Sequence, residues 1–139
     1  MSDCIFCKIV EGEIPSAKVY EDDHVYAFLD LTQVTKGHTL VIPKDHQKNV
    51  YELEEQTASE LFKAVPKVAN ALKQAFEPVG MNLLNNNEAP AGQSIFHYHI
   101  HLIPRYEGDS FDVEWPDNSG NYTSDDRDNL AKQIQSQLS

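Results

Sequence analysis

The run Ser94-Ile95-Phe96-His97-Tyr98-His99-Ile100-His101-Leu102-Ile103-Pro104-Arg105 constrains the fold more than any other part of the chain. Its alternation predicts a β-strand, in which successive side chains point to opposite faces. His97, His99 and His101 then share one face, while Phe96, Tyr98, Ile100 and Leu102 line the other. Neighbouring imidazoles on such a face stand roughly 6.6–7 Å apart, close enough for two of them to reach one small ligand. A polar, solvated edge strand would explain one such histidine, but three of the chain's six histidines fall within these five residues. Any fold must therefore bury the apolar face of this strand and gather other polar groups around its histidine face.

The remaining segments supply partners for that strand. Lys18–Glu21 and Val25–Asp30 read as a hairpin around Asp22-Asp23, and Gly37–Pro43 reads as a third strand closed by proline. Gly80–Asn86 reads as a fourth, followed by a turn-rich loop from Asn87 to Ser94. Leu61, Val65, Val68, Leu72 and Phe76 recur at three- and four-residue spacing, which predicts a long helix over Thr57–Phe76. Pro66 lies inside it, so a kink or break is expected there. Residues 4–11 can form a short N-terminal helix ended by Gly12 and Pro15, and Asp125–Leu138 a short C-terminal one. Strands do not alternate with helices, so the expected class is α+β: an antiparallel five-stranded sheet with one long helix and a short N-terminal helix. A length of 139 residues suits a single domain.

Charge and cysteine usage narrow the chemistry. A net charge of −11 opposes binding to polymeric nucleic acid or to anionic membranes, though a small phosphate ligand is still accessible through backbone N–H groups and imidazoles. Eight of the 22 acidic residues lie between Glu107 and Asp128, which reads as a solvated acidic segment. No apolar run has the length of a membrane span, and Met1-Ser2-Asp3-Cys4 lacks the basic start and apolar core of a signal peptide; a cytoplasmic location is expected. The two cysteines, Cys4 and Cys7, form a C-x-x-C that leaves metal binding, redox chemistry or simple burial open. A tetrahedral zinc site would need two more ligands, for which His46 and His97 are candidates.

A second constellation is Ala91-Gly92-Gln93-Ser94 leading into the histidines. Backbone N–H groups of such a turn can cradle an anion, with the Gln93 amide and Ser94 hydroxyl as further donors. Neutral imidazole beside a bound phosphate is a competent nucleophile at pH 7, and a neighbouring imidazole can steady the leaving group. A three-histidine metal centre is the competing reading, although alternate residues of one strand are poorly placed to ligate one ion.

His97-Tyr98-His99-Ile100-His101-Leu102-Ile103 resembles the His-φ-His-φ-His-φ-φ signature of the histidine triad family, φ being apolar. Cys4–Ile9, Ile14-Pro15, Tyr26–Asp30, Gly37–Lys44 and Ala91–Ser94 are similar to that family's other landmarks, in its order, and the likeness is greatest to its small bacterial nucleotide-binding branch. It spans a core of about residues 4–106 and leaves 107–139 as an acidic C-terminal extension. The resemblance implies a homodimeric nucleotide hydrolase or nucleotidyl transferase acting on a purine nucleotide with a substituent on its α-phosphate, such as a phosphoramidate or a dinucleoside polyphosphate. By the same resemblance, His99 is the nucleophile that forms a nucleotidyl-histidine, His101 contacts phosphate or leaving group, and His38 orients the cluster. Gln93, Ser94 and Asn86 would face the phosphate, Asp30 the ribose hydroxyls, and Phe6, Phe28 and Leu31 the base. Cys4, Cys7, His46 and His97 match the ligands of a structural zinc in zinc-containing members. The segment Asn87-Glu88-Ala89-Pro90 is less glycine-rich than this loop often is in relatives. The alternative classes are a nucleotide-binding interaction module with incidental catalysis and a metal-storage protein.

Overall fold

A computed structural model describes residues 3–138. Strands β1 (Lys18–Glu21), β2 (Val25–Leu29), β3 (Thr39–Pro43), β4 (Gly80–Leu84) and β5 (Ile100–Arg105) form one sheet. Their spatial order is β1-β2-β3-β5-β4, and every neighbouring pair is antiparallel. Both faces of its centre are covered, which is why β2 and β3 are buried on both sides and read as continuous apolar runs. The period of two still sorts the residues. Val25, Ala27, Val41, Ile100 and Leu102 pack beneath the long helix α2 (Glu55–Phe76), whereas Tyr26, Phe28, Leu40 and Ile42 pack with Phe6 and Ile9 of the short helix α1 (Ile5–Val10).

Helix α2 presents Leu61, Ala64, Val65, Val68 and Leu72 to the sheet. It runs through Pro66 as one assigned helix of 22 residues, so the expected break does not occur. Pro66 sits on the exposed side, as does Phe62, whose carbonyl is the one it leaves without an N–H partner. Phe76, placed on the buried stripe by spacing, is 37% exposed and instead covers Gly37. A Cβ at Gly37 would lie 2.9 Å from the Phe76 ring, and its φ of +92° would also strain any other residue.

The histidine segment differs from expectation at its start. Regular pairing begins only at Ile100, so His97 and His99 precede β5 and only His101 lies on the ladder. Two side contacts hold the approach: Tyr98 N–H donates to the Gln47 carbonyl at 2.7 Å, and Asn85 Nδ2 donates to the His99 carbonyl at 2.9 Å. The alternation survives without the ladder, because Tyr98 joins Ile100 and Leu102 in the core under α2. Phe96 does not join them and is 43% exposed.

Beyond β5, Arg105 grips Asp109 with two nitrogens and donates to Asn82 and the Phe111 carbonyl, ending the buried part of the chain. Helix α3 (Ser124–Gln135) opens with a capping box between Thr123 and Asp126 and buries none of its residues. Among the described residues no helix is long and apolar enough to cross a membrane. Leu61 is wholly buried, whereas its neighbour Phe62 is 50% exposed. Leu61→Ala should therefore cost about 2–5 kcal/mol in urea denaturation, and Phe62→Ala clearly less; equal losses would contradict this assignment of the helix faces.

Candidate functional site

All the polar groups of interest emerge on the α1 face, for the same reason that Tyr26, Phe28, Leu40 and Ile42 do. Asp30 continues the Tyr26-Phe28 alternation past the end of β2, and His38 precedes the Leu40-Ile42 alternation of β3. The turn between them is closed by Gln33, whose Nε2 donates to the carbonyls of Asp30 and His38 at 2.7 Å and whose Oε1 accepts from Gly37 N–H at 2.9 Å. β3 lies beside β5 with Leu40 opposite His101, which carries His38 diagonally onto His101.

Hydrogen bonds to the backbone fix the tautomer of each ring, since a carbonyl oxygen can only accept and an N–H can only donate. His97 must donate from Nε2 to the Pro43 carbonyl at 2.7 Å, so its bare nitrogen is Nδ1. His99 must donate from Nδ1 to the His97 carbonyl at 2.7 Å, which leaves the lone pair on Nε2. His38 Nδ1 accepts from Val34 N–H at 3.3 Å, so His38 carries its proton on Nε2 and donates it to His101 Nδ1 at 2.9 Å. His101 in turn holds its own proton on Nε2. The two rings that bear chemistry thus differ: His99 offers an electron pair, and His101 offers a proton.

Burial keeps these rings neutral. It pushes His101 down to about 4, with help from the His99 and His38 charges, and lowers His99 and His38 as well; the Asp30 carboxylate opposes the shift in all three. Asp30 lies 3.8 Å from His38 Nε2 and accepts from the Thr32 N–H and hydroxyl at 2.8 and 2.6 Å. Phe6 lays its ring edge-on to His99, with centroids 5.1 Å apart, and to Phe28 at 5.5 Å.

A second cluster lies behind His97. Cys4 Sγ and Cys7 Sγ are 3.4 and 3.6 Å from His97 Nδ1, and Cys7 Sγ is 3.4 Å from His46 Nδ1. One atom from each of the four residues falls within 4.8 Å of all the others. With zinc–sulfur and zinc–nitrogen bonds of usual length, the sulfur–nitrogen edge of a tetrahedron is roughly 3.6 Å, so the donor set fits a zinc ion. Burial and the adjoining Cys4 thiol push the Cys7 thiol up to about 11, so holding both sulfurs as thiolates calls for a cation among them.

The loop before the histidines is tightly cross-linked. Gln93 is buried, and its amide is fully engaged: Nε2 donates to the carbonyls of Lys48 and Ile95 at 2.8 and 3.1 Å, and Oε1 accepts from Glu88 N–H at 2.8 Å. Here Gln93 shapes the loop and offers no free donor to a phosphate. Asn86 Nδ2 approaches the Gly92 carbonyl at 3.4 Å, and Ser94 is exposed at the loop's end. Glu88 has φ +76° and ψ 150°, a region that costs a non-glycine residue on the order of 1–3 kcal/mol.

Leu31, expected beside the base, does not join the wall made by Phe6 and Phe28: its side chain is fully exposed, because Asp30 turns the chain outward by accepting from Thr32 N–H. The sequence reading did not find Gln33, Gln47 or Asn85, which hold the backbone of the histidine cluster in place. Gln47 and Asn85 bond to a backbone remote in sequence, which no local spacing reveals, whereas Gln33 closes a local turn across three to five residues.

A family model described as HIT domain matches residues 11–108. "Protein hit" of Bacillus subtilis is 57% identical over 137 residues, covering 98% of this chain and 94% of that protein. The adenosine 5'-monophosphoramidase of Schizosaccharomyces pombe is 41% identical over 114 residues, covering 81% and 83% of the two chains. The crystal structure of a HIT family protein from Bacillus anthracis superposes with a TM-score of 0.95 at 54% identity, covering 99% of this chain and 98% of that one. A zinc-bound histidine triad family protein from Mycobacterium smegmatis superposes with a TM-score of 0.75 at 30% identity, covering 99% of each chain.

Proposed function

Because the chain belongs to the HIT-domain family, we propose that it is a nucleotide hydrolase that cleaves the substituent from the α-phosphate of a purine nucleotide and releases the nucleoside monophosphate. The observation that carries this reading is the bond from His99 Nδ1–H to the His97 carbonyl, which leaves His99 Nε2 unprotonated beside the protonated Nε2 of His101. In the first step the His99 Nε2 lone pair attacks the α-phosphorus, forming an N–P bond as the bond to the substituent breaks. The His101 Nε2 proton goes to the departing atom, and His38 steadies His101 through their shared hydrogen bond. Water then attacks phosphorus and gives a proton to His101 Nε2, restoring the N–H lost in the first step, while the N–P bond breaks and His99 returns with its lone pair on Nε2. The phosphoramidase activity of the Schizosaccharomyces pombe relative makes an amine a fitting leaving group, and a dinucleoside polyphosphate would react by the same displacement.

Phe6 and Phe28 form an apolar wall for the base, Asp30 faces the ribose hydroxyls, and Asn86 and Ser94 face the phosphate. The packing of Phe6 and Phe28 on the α1 face and the approach of Asp30 to His38 support the first two roles, and the place of Asn86 and Ser94 in the loop leading into the histidines supports the third. Cys4, Cys7, His46 and His97 would hold a zinc ion. With four protein ligands that ion supplies a cross-link and no open catalytic position. It would fasten α1 and the loop after β3 to the residue whose carbonyl orients His99. The protein acts as a homodimer, a reading supported by the unpaired outer edge of β4 with its exposed Leu83 and Leu84.

Incubation with adenosine 5'-phosphoramidate followed by acid-free quenching and mass spectrometry should reveal a nucleotidyl adduct on His99 and release of AMP. His99→Ala should lower turnover roughly a thousandfold or more. Absence of AMP, or an unchanged rate in His99→Ala, would overturn the proposal. Metal analysis should find about one zinc per chain, lost in Cys7→Ser together with thermal stability. Several exchangeable ions per chain would speak for metal storage instead.

A further inference from the structure

The loop between β4 and the histidines contains a residue whose backbone is in the wrong place for its type. Glu88, at φ +76° and ψ 150°, occupies a region that glycine alone adopts without strain. A glycine would satisfy the backbone there, so the side chain must supply something that glycine cannot. The neighbouring hydrogen bonds identify it. The Glu88 carboxylate accepts from Asn49 Nδ2 at 2.5 Å and stands 3.8 Å from Lys48 Nζ. Asn49 is almost completely buried, and apart from a long 3.5 Å approach to Gln93 Oε1 its amide nitrogen has this acceptor. Glu88 N–H donates to Gln93 Oε1 at 2.8 Å, and the Glu88 carbonyl accepts from the N–H groups of Ala91 and Gln93 at 3.0 and 3.2 Å. Gln93 Nε2 closes the circuit on the Lys48 carbonyl at 2.8 Å.

From these contacts we infer that Glu88 is a positioning residue: its carboxylate, held by Asn49 and Lys48, clamps the phosphate-side loop 86–94 to the segment that carries His46. The inference rests on the nucleotide hydrolase reading, in which this loop faces the α-phosphate. It acts through loop order alone, and Glu88 itself touches no reacting atom. Strain and tether oppose one another, which makes them separable. Replacing Glu88 by glycine removes both, so the loop loosens while the relief of strain offsets the bond lost by the buried Asn49 amide and the stability of the fold as a whole changes little. Replacing it by glutamine keeps an acceptor oxygen for Asn49 and keeps the backbone where it is.

The test compares Glu88→Gly and Glu88→Gln with the unaltered protein by amide hydrogen exchange, thermal unfolding and steady-state kinetics on adenosine 5'-phosphoramidate. In Glu88→Gly, exchange at Ala91 and Gln93 should rise about tenfold or more while the melting temperature changes little. Its kcat/KM should drop roughly ten- to a hundredfold, and Glu88→Gln should restore most of both losses. Unchanged exchange in Glu88→Gly overturns the clamp whatever the activity. Faster exchange with kcat/KM within twofold of the unaltered protein overturns the positioning role. If the unaltered protein releases no AMP, the hydrolase reading fails, and with it the catalytic role of the clamp; faster exchange in Glu88→Gly with rescue by Glu88→Gln would then support the clamp alone.

Discussion

His97 is the joint on which the rest of the site depends. Its ring is wholly buried and is used on both edges: Nε2 donates to the Pro43 carbonyl, and Nδ1 faces the two cysteine sulfurs. Its own carbonyl accepts from His99 Nδ1. One residue therefore connects the end of β3, the N-terminal helix and the ring proposed as nucleophile. A buried imidazole with an unpartnered nitrogen would be costly, so this arrangement has little freedom to change tautomer or rotate. The order of the neighbouring ring follows from it.

An acidic chain proposed to handle an anionic substrate needs local compensation. The site provides it with hydrogen-bond donors and neutral rings, not with cationic side chains. Burial lowers the basicity of His38, His99 and His101, so at neutral pH the cluster keeps a lone pair on one ring and an N–H on the next. The Asp30 carboxylate opposes this effect and is itself tied down by Thr32. From 112 to 138 the acidic extension is exposed, and Asp109 before it is paired with Arg105, so its charge is solvated or neutralised and acts on the site weakly.

Much of this architecture was legible in the sequence because it rests on periodicity. Alternation along the histidine segment placed His97, His99 and His101 on a common face, Asp30 and His38 came from resemblance, and the three-and-four spacing located α2 to within two residues at its start. What was not legible depends on single hydrogen bonds, some across long sequence separations and some within a loop. The histidine segment is extended but unpaired until Ile100, because Gln47 and Asn85 take the place of a neighbouring strand. Leu31 points outward because of the Asp30–Thr32 turn, and Gln93 serves its own loop. Pro66 is accommodated because it happens to fall on the solvent side of α2. The ligand set Cys4, Cys7, His46 and His97 came from resemblance, and the distances among its atoms now supply an independent physical reason for it.

The central claim is that backbone carbonyls select the imidazole tautomers, so that His99 presents a bare Nε2. Long-range proton–nitrogen correlation spectra of protein labelled with nitrogen-15 at histidine, recorded at neutral pH, read this directly. The account predicts an Nδ1–H tautomer for His99 and Nε2–H tautomers for His97, His38 and His101. An Nε2–H tautomer at His99 would contradict it.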